Sequence, residues 1–233
     1  MHYYSLGQIP HKRHTQFLKP NGELYSEQLF STEGFSDLAS LLYHCNAPTQ
    51  ILQVEEPFSI APKTIHDKQL KHRCLKGFHI KPESDYLKSR KPVLVNDDCK
   101  ITLAAPSQSM TEYYFKNADA DEVVFIHEGT GVLKTMYGNI DFAYGDYLVI
   151  PRGTIYQFHF NQSSNRIMII ESAGPITFPK RYRNDFGQLM EHSPFCERDI
   201  RKPATLETHD VQGRFLLYIK KQDIIYPYHY LNH

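Results

Sequence analysis

Asp121-Glu-Val-Val-Phe-Ile-His-Glu-Gly129, then Gly131-Val-Leu-Lys134, then Gly145-Asp-Tyr-Leu-Val-Ile-Pro-Arg-Gly-Thr-Ile-Tyr156 carry the signal that decides the fold of this chain. Short runs of β-branched and aromatic residues, bounded by glycine or proline, read as strands joined by tight turns. Gly129 and Gly145 permit positive φ where a strand ends, and Pro151 fixes φ where the chain turns before re-entering a sheet. Side chains alternate between the two faces of a strand. If Glu122 looks inward, then Val124, Ile126 and Glu128 share its side and His127 points away. By the same rule Phe158 and Phe160 follow Tyr156 inward, and His159 faces out.

Outward from this stretch the pattern continues strand after strand: Gly77–Ile80, Lys100–Ala104, Glu112–Phe115, Glu122–His127, Gly131–Met136, Tyr147–Ile150, Ile155–Phe160 and Ile167–Glu171. Strands this short and this closely spaced make a sandwich or barrel. The fold class expected is mainly β, a jelly-roll barrel carrying an irregular N-terminal arm. Glu122 with Gly129, and Gly145 with Pro151 and Gly153, have the spacing of the two cupin motifs, which the chain resembles. A metal-binding cupin adds a His-x-His pair before the Glu and a His closing the second motif. Those slots fall here on Phe115 and Asn117, or Lys116 and Ala118 if the spacing is one shorter, and on Tyr156. Glu122 alone survives of four possible ligands. Asn117, Glu122 and Tyr156 therefore mark a degenerate metal-site position, and no catalytic, cofactor-binding or metal-ligating residue is assigned.

The flanks differ in texture. Residues 1–62 are broken by Pro10, Pro20, Gly34, Pro48 and Pro57 and read as an arm with one short helix at Ser36–His44. Residues 63–174 form the barrel. Residues 175–233 read as a linker and the first elements of a truncated second half, with Gly213–Lys220 a strand that begins something else. Lys plus Arg equals Asp plus Glu at 26 each, which leaves no net field to attract nucleic acid or anionic lipid. Four scattered cysteines without a C-x-x-C pair fit free thiols in a reducing compartment. Lacking an apolar run of membrane-spanning length or a hydrophobic signal core, the chain is expected to be cytoplasmic, with no membrane partner.

Other polar clusters have simpler structural explanations. His11-Lys-Arg-His14 reads as a solvated or interface-facing basic arm. Asp119, Asp121 and Glu122 beside Asn117 read as a turn leading into a strand rather than a hard-cation site. His66, His72 and His79 are interleaved with Lys and Arg, which would repel a cation, and His229 and His233 lie beside Pro227 near the chain end. The Glu191-His192 and Cys196–Asp199 loop reads as a contact between halves or subunits, because no nucleophile-base-orienter set is visible in its spacing.

Several ordered segments together resemble homogentisate 1,2-dioxygenase of the bacterial type. They include Gly7–Phe17, Glu33-Gly-Phe-Ser36, Ser40–His44, Ser89-Arg-Lys-Pro92, Asn117–Glu122, Gly145–Thr154, Lys180–Leu189 and Glu191–Ile200. The resemblance implies an enzyme that opens the ring of homogentisate with O2 to give maleylacetoacetate, in tyrosine and phenylalanine breakdown. It also implies two cupin-like halves, with Fe(II) held by two His and one Glu in the carboxy-terminal half, and assembly of trimers into hexamers. This chain corresponds to the amino-terminal half and is expected to be inactive alone. The alternative is a stand-alone metal-free cupin serving as a small-ligand, oligomerisation or regulatory module.

Overall fold

A computed structural model describes residues 16–65, 69, 71–207, 209 and 211–232. In chain order the strands are β1 (Ser26–Glu33), β2 (Ser36–His44), β3 (Ile51–Val54), β4 (Phe58–Ser59), β5 (Lys91–Val95), β6 (Cys99–Ala104), β7 (Tyr114–Asn117) and β8 (Asp121–Glu128). They continue with β9 (Gly131–Thr135), β10 (Gly138–Phe142), β11 (Tyr147–Ile150), β12 (Ile155–Phe160), β13 (Arg166–Ser172), β14 (Gln212–Lys221) and β15 (Ile224–Asn232). Three short 3-10 turns, at Gly77–His79, Lys180–Tyr182 and Glu197–Asp199, are the helical elements among the described residues. None is long and apolar enough to cross a membrane.

Two compact units emerge. The first holds the described residues up to Gln53, Thr177–Phe215 and the chain from His229; the second holds Val54–Ile176 and Leu216–Tyr228. In the second unit β6 to β13 are shared between two sheets, one ordered β10-β9-β12-β7 and the other β11-β8-β13-β6, alternating except at the β9–β10 hairpin. That interleaving is the double Greek key of a jelly roll, left as two packed sheets rather than one closed hydrogen-bonded barrel. β5 extends the second sheet antiparallel to β6, and β14 extends the first parallel to β7. The core between the sheets joins Phe115, Leu133, Tyr156 and Phe158 of one to Val124, Ile126, Ile150 and Ile169 of the other. Gly129 and Gly145 adopt φ of +127° and +89°, as expected of strand-end glycines.

Alternation holds where it was expected: Glu122, Val124, Ile126 and Phe158 are each 0% exposed and Tyr156 is 1%. Glu128 is a correction. Its side chain is 44% exposed and meets Arg166, because the β8 and β13 register shifts between Arg166 and Ile167 and turns the strand end outward. Ser36–His44 is also a correction, being strand β2 paired with β1 from Ser26↔His44 to Glu33↔Ser36. Its nine residues, SDLASLLYH, carry no decisive period, and Gly34, at φ +59° in the turn, lets the pairing with β1 decide. Gly77–Ile80 is a 3-10 turn rather than a strand. The expected strand Gly213–Lys220 is β14, with Leu217↔Tyr114 to Lys220↔Asn117 registered on β7. Leu216–Tyr228 lie in the second unit.

In the first unit, the β1–β2 hairpin is tied by His44 Nε2 to Gln28 Oε1 at 2.9 Å. Arg214 donates from Nε to His229 Nδ1 at 3.0 Å and from Nη2 to Gln53 Oε1 at 2.6 Å, so His229 is a hydrogen-bond acceptor here. The Cys196–Asp199 turn closes on itself, with the Cys196 N–H donating to Asp199 Oδ2 at 3.0 Å, and this holds the Asp199 carboxyl below the usual carboxylate range. His192 Nε2 lies 3.1 Å from the Arg181 carbonyl. Cys45, Cys74, Cys99 and Cys196 are all free. His11–His14, His66 and His233 lie outside the described residues.

Candidate functional site

The sequence Asp85-Tyr-Leu-Lys-Ser-Arg90 builds the part of the site that no strand period reveals. Asp85 Oδ1 accepts from the backbone N–H of Leu87 at 3.1 Å and of Lys88 at 3.0 Å, and from the buried Tyr113 hydroxyl at 2.7 Å. Such a carboxylate-capped turn satisfies backbone donors that the core could not leave bare. The Ser89 N–H closes the turn on the Asp85 carbonyl at 2.9 Å. Arg90 follows directly and enters the space between the sheets.

There its guanidinium meets two carboxylates. Nη2 donates to Glu122 Oε1 at 2.7 Å and Nη1 to Glu171 Oε1 at 2.8 Å. The remaining Glu122 oxygen accepts the Tyr156 hydroxyl, and the remaining Glu171 oxygen accepts Lys220 Nζ. Arg90 also stacks over the rings of Tyr86, at 4.5 Å to the centroid, and Phe115, at 5.3 Å. Two cations thus meet two anions in a network that joins the 85–90 turn to β8, β12, β13 and β14. Burial opposes the charge on Arg90, but Glu122, Tyr86, Tyr156 and Glu171 together hold its pKa well above the ordinary value. Burial, then the neighbouring Glu122 charge, pushes the Tyr156 phenol well above its usual range, so it stays a donor.

The structure brings Glu122 and Tyr156 together and sends Asn117 elsewhere. Asn117 is buried, but its Oδ1 accepts from the N–H groups of Asp119 at 3.0 Å and Ala120 at 3.1 Å, closing the turn into β8. Asp119 in turn accepts from the Gln222 N–H at 2.9 Å. Asp121 Oδ1 accepts from the Arg152 N–H at 2.8 Å and Oδ2 from the Ile176 N–H at 2.7 Å. These carboxylates are spent on backbone donors, as a turn requires. Asp121→Ala is expected to cost about 1–3 kcal/mol by stranding two N–H groups, read as a lower urea midpoint at unchanged slope.

Ferrous iron does not fit this interior. Both Glu122 oxygens are engaged, a phenol stands at the last His slot, and a guanidinium supplies the positive charge beside the one retained carboxylate. Among the described residues, no group of three or more His, Cys, Asp or Glu could hold a metal ion. Sequence reasoning missed Arg90, Glu171 and Lys220. Glu171 was legible, since it follows Ile167 and Ile169 on the inward side of β13, all three being buried.

The two packed jelly-roll sheets make this a cupin-like protein. The model of the family described as "Homogentisate 1,2-dioxygenase N-terminal" matches residues 86–212, more than half of the chain, and the chain belongs to that family. A "Putative dioxygenase" of Saccharolobus solfataricus is 38% identical over 218 residues, a match covering 94% of this chain and 56% of that protein. The chain therefore spans about half the length of this curated relative. Among solved structures, a cupin-2 domain protein from Shewanella frigidimarina is similar at 25% identity and TM-score 0.35, covering 41% of this chain and 87% of that one. A cupin 2 conserved barrel protein from Rhodopseudomonas palustris matches at 21% identity and TM-score 0.32, covering 37% and 61%.

Proposed function

We propose that this chain is the non-catalytic, amino-terminal part of a ring-cleaving dioxygenase acting on homogentisate. In this reading its jelly roll is a structural partner of a separate iron-bearing half, and the complete enzyme assembles as a trimer or hexamer. The observation that carries the reading is the Arg90 guanidinium bound to Glu122, which occupies with a fixed side-chain charge the place a metal-dependent cupin gives to a cation. Family membership supports the reaction class, and the coverage of about half the relative supports the division of labour. Opening an aromatic ring with O2 is chemistry that Fe(II) makes accessible, and a two-His, one-carboxylate site would supply open positions for substrate and O2. The described residues of the second unit supply scaffold instead: they exclude water from the jelly-roll core and hold two sheets in register.

The test is direct. Incubated anaerobically with Fe(II) and then desalted, the chain is expected to retain far less than one iron per molecule, and to take up no O2 when homogentisate and ascorbate are added. Stoichiometric iron or homogentisate-dependent turnover by the chain alone would overturn the reading.

A further inference from the structure

A second concave site lies on the outer face of the β11-β8-β13-β6-β5 sheet, away from the charge network. The strap Leu75–Ile80 crosses this face and is held close to it. A Cβ placed on Gly77 would stand 2.7 Å from Leu103 Cδ1, so the strap backbone lies close against the β6 side chain here. Phe78 packs edge-on against the His127 ring at 4.8 Å, and Arg166 of β13 lies over Phe78 at 5.7 Å. The strap's end is fastened where Arg166 Nη1 donates to the Ile80 carbonyl at 2.9 Å.

Between strap and sheet remains a pocket of about 470 Å³. Its floor is apolar, formed by Leu103, Phe125 and Met168. Its polar lining is wholly basic or imidazole, from Lys76, His79, His127 and Arg166, with no carboxylate. Glu128 meets Arg166 from the Nε side at 3.3 Å and does not line the space. Volume, aromatic walls and a few convergent polar groups are the attributes of a small-molecule site. A pocket that is apolar below and cationic or donor-bearing at its rim selects a planar apolar molecule with one acidic substituent.

We infer that this outer pocket binds a planar, apolar organic acid, with its ring between Phe125 and the strap and its anionic group toward His127 and Arg166. The site is independent of the lumen and of the reading proposed for it. The probe is 8-anilinonaphthalene-1-sulfonate, with the uncharged N-phenyl-1-naphthylamine as its comparison, titrated into the full chain by fluorescence. One saturable site for the anionic probe is expected, with the neutral probe about tenfold weaker, the discrimination a charged hydrogen bond supplies. Met168→Trp fills the pocket and should weaken both probes by about tenfold or more. The chain has no tryptophan, so the new indole also reports directly whether the probe approaches. His127→Leu keeps the bulk, removes the donor, and should weaken only the anionic probe, which guards against a misfolded Met168 variant. Unsaturable binding, equal affinity for the two probes, or binding unchanged in both variants would each overturn the inference.

Discussion

Arg90→Met is expected to lower the unfolding free energy by about 3–5 kcal/mol, the cost of leaving buried carboxylates without their counter-charge. The argument rests on where the charges sit. Side chains of Arg90, Glu122, Glu171 and Lys220 are 8%, 1%, 7% and 3% exposed, so water cannot replace a lost partner. Methionine fills much of the volume, which confines the loss to electrostatics and hydrogen bonding rather than to a cavity. Glu171 keeps Lys220 as its partner in the variant, whereas Glu122 keeps only the Tyr156 hydroxyl. Arg90→Met with Glu122→Gln should therefore recover a large part of the loss, because the uncompensated charge is gone. Urea unfolding of the wild type, the single and the double variant measures this. A single variant within 1 kcal/mol of wild type, or a double variant no better than the single, would show that the network is not a brace.

Phe158→Ala is the second large effect, about 3–5 kcal/mol from lost burial and the cavity left behind. Phe158 is 0% exposed and touches aromatic neighbours on several sides. It stacks on Tyr86 at 4.3 Å between ring centroids, and meets Phe142 at 5.6 Å and Tyr156 at 5.7 Å edge-on. Such a cluster cannot collapse around a methyl group without moving both sheets. His159, the next residue, sits on the opposite face with Nε2 3.1 Å from Gln157 Oε1, so His159→Ala should cost about 1 kcal/mol. Paired thermal melts check the contrast. Equal losses at the two positions would mean that the strand does not alternate as described.

Much of the second unit was legible because alternation and turn chemistry are local. Glu122-Val-Val-Phe-Ile carries its own two-residue period, and Gly145 and Gly129 announce their backbone angles. The first unit was less legible for a local reason too. Ser36–His44 has neither a strong helical nor a strong strand period, and only the partner strand β1 settles it. β15 and β1 were not anticipated, since Pro227 interrupts the β-branched and aromatic run of β15 and β1 gains its identity from pairing with β2. The candidate site divides the same way. Glu122 and Tyr156 were singled out by motif spacing and do meet, whereas Asn117 shares the motif but spends its amide on the turn into β8.

The chain by itself determined a mainly β jelly roll, the inward face of β8 and β12, and the loss of imidazoles from the cupin ligand slots. Tertiary structure alone decided what replaced them. Arg90 lies 32 residues before Glu122 and 81 before Glu171, in a turn whose periodicity carries no signal. Lys220 reaches the same place from β14 through a parallel pairing with β7. Patterning specifies which face of a strand is dry, because burial of apolar surface acts residue by residue. Which charges meet inside depends on contacts between segments far apart in the chain, and the cost of an unpaired buried ion allows few arrangements of those segments to persist.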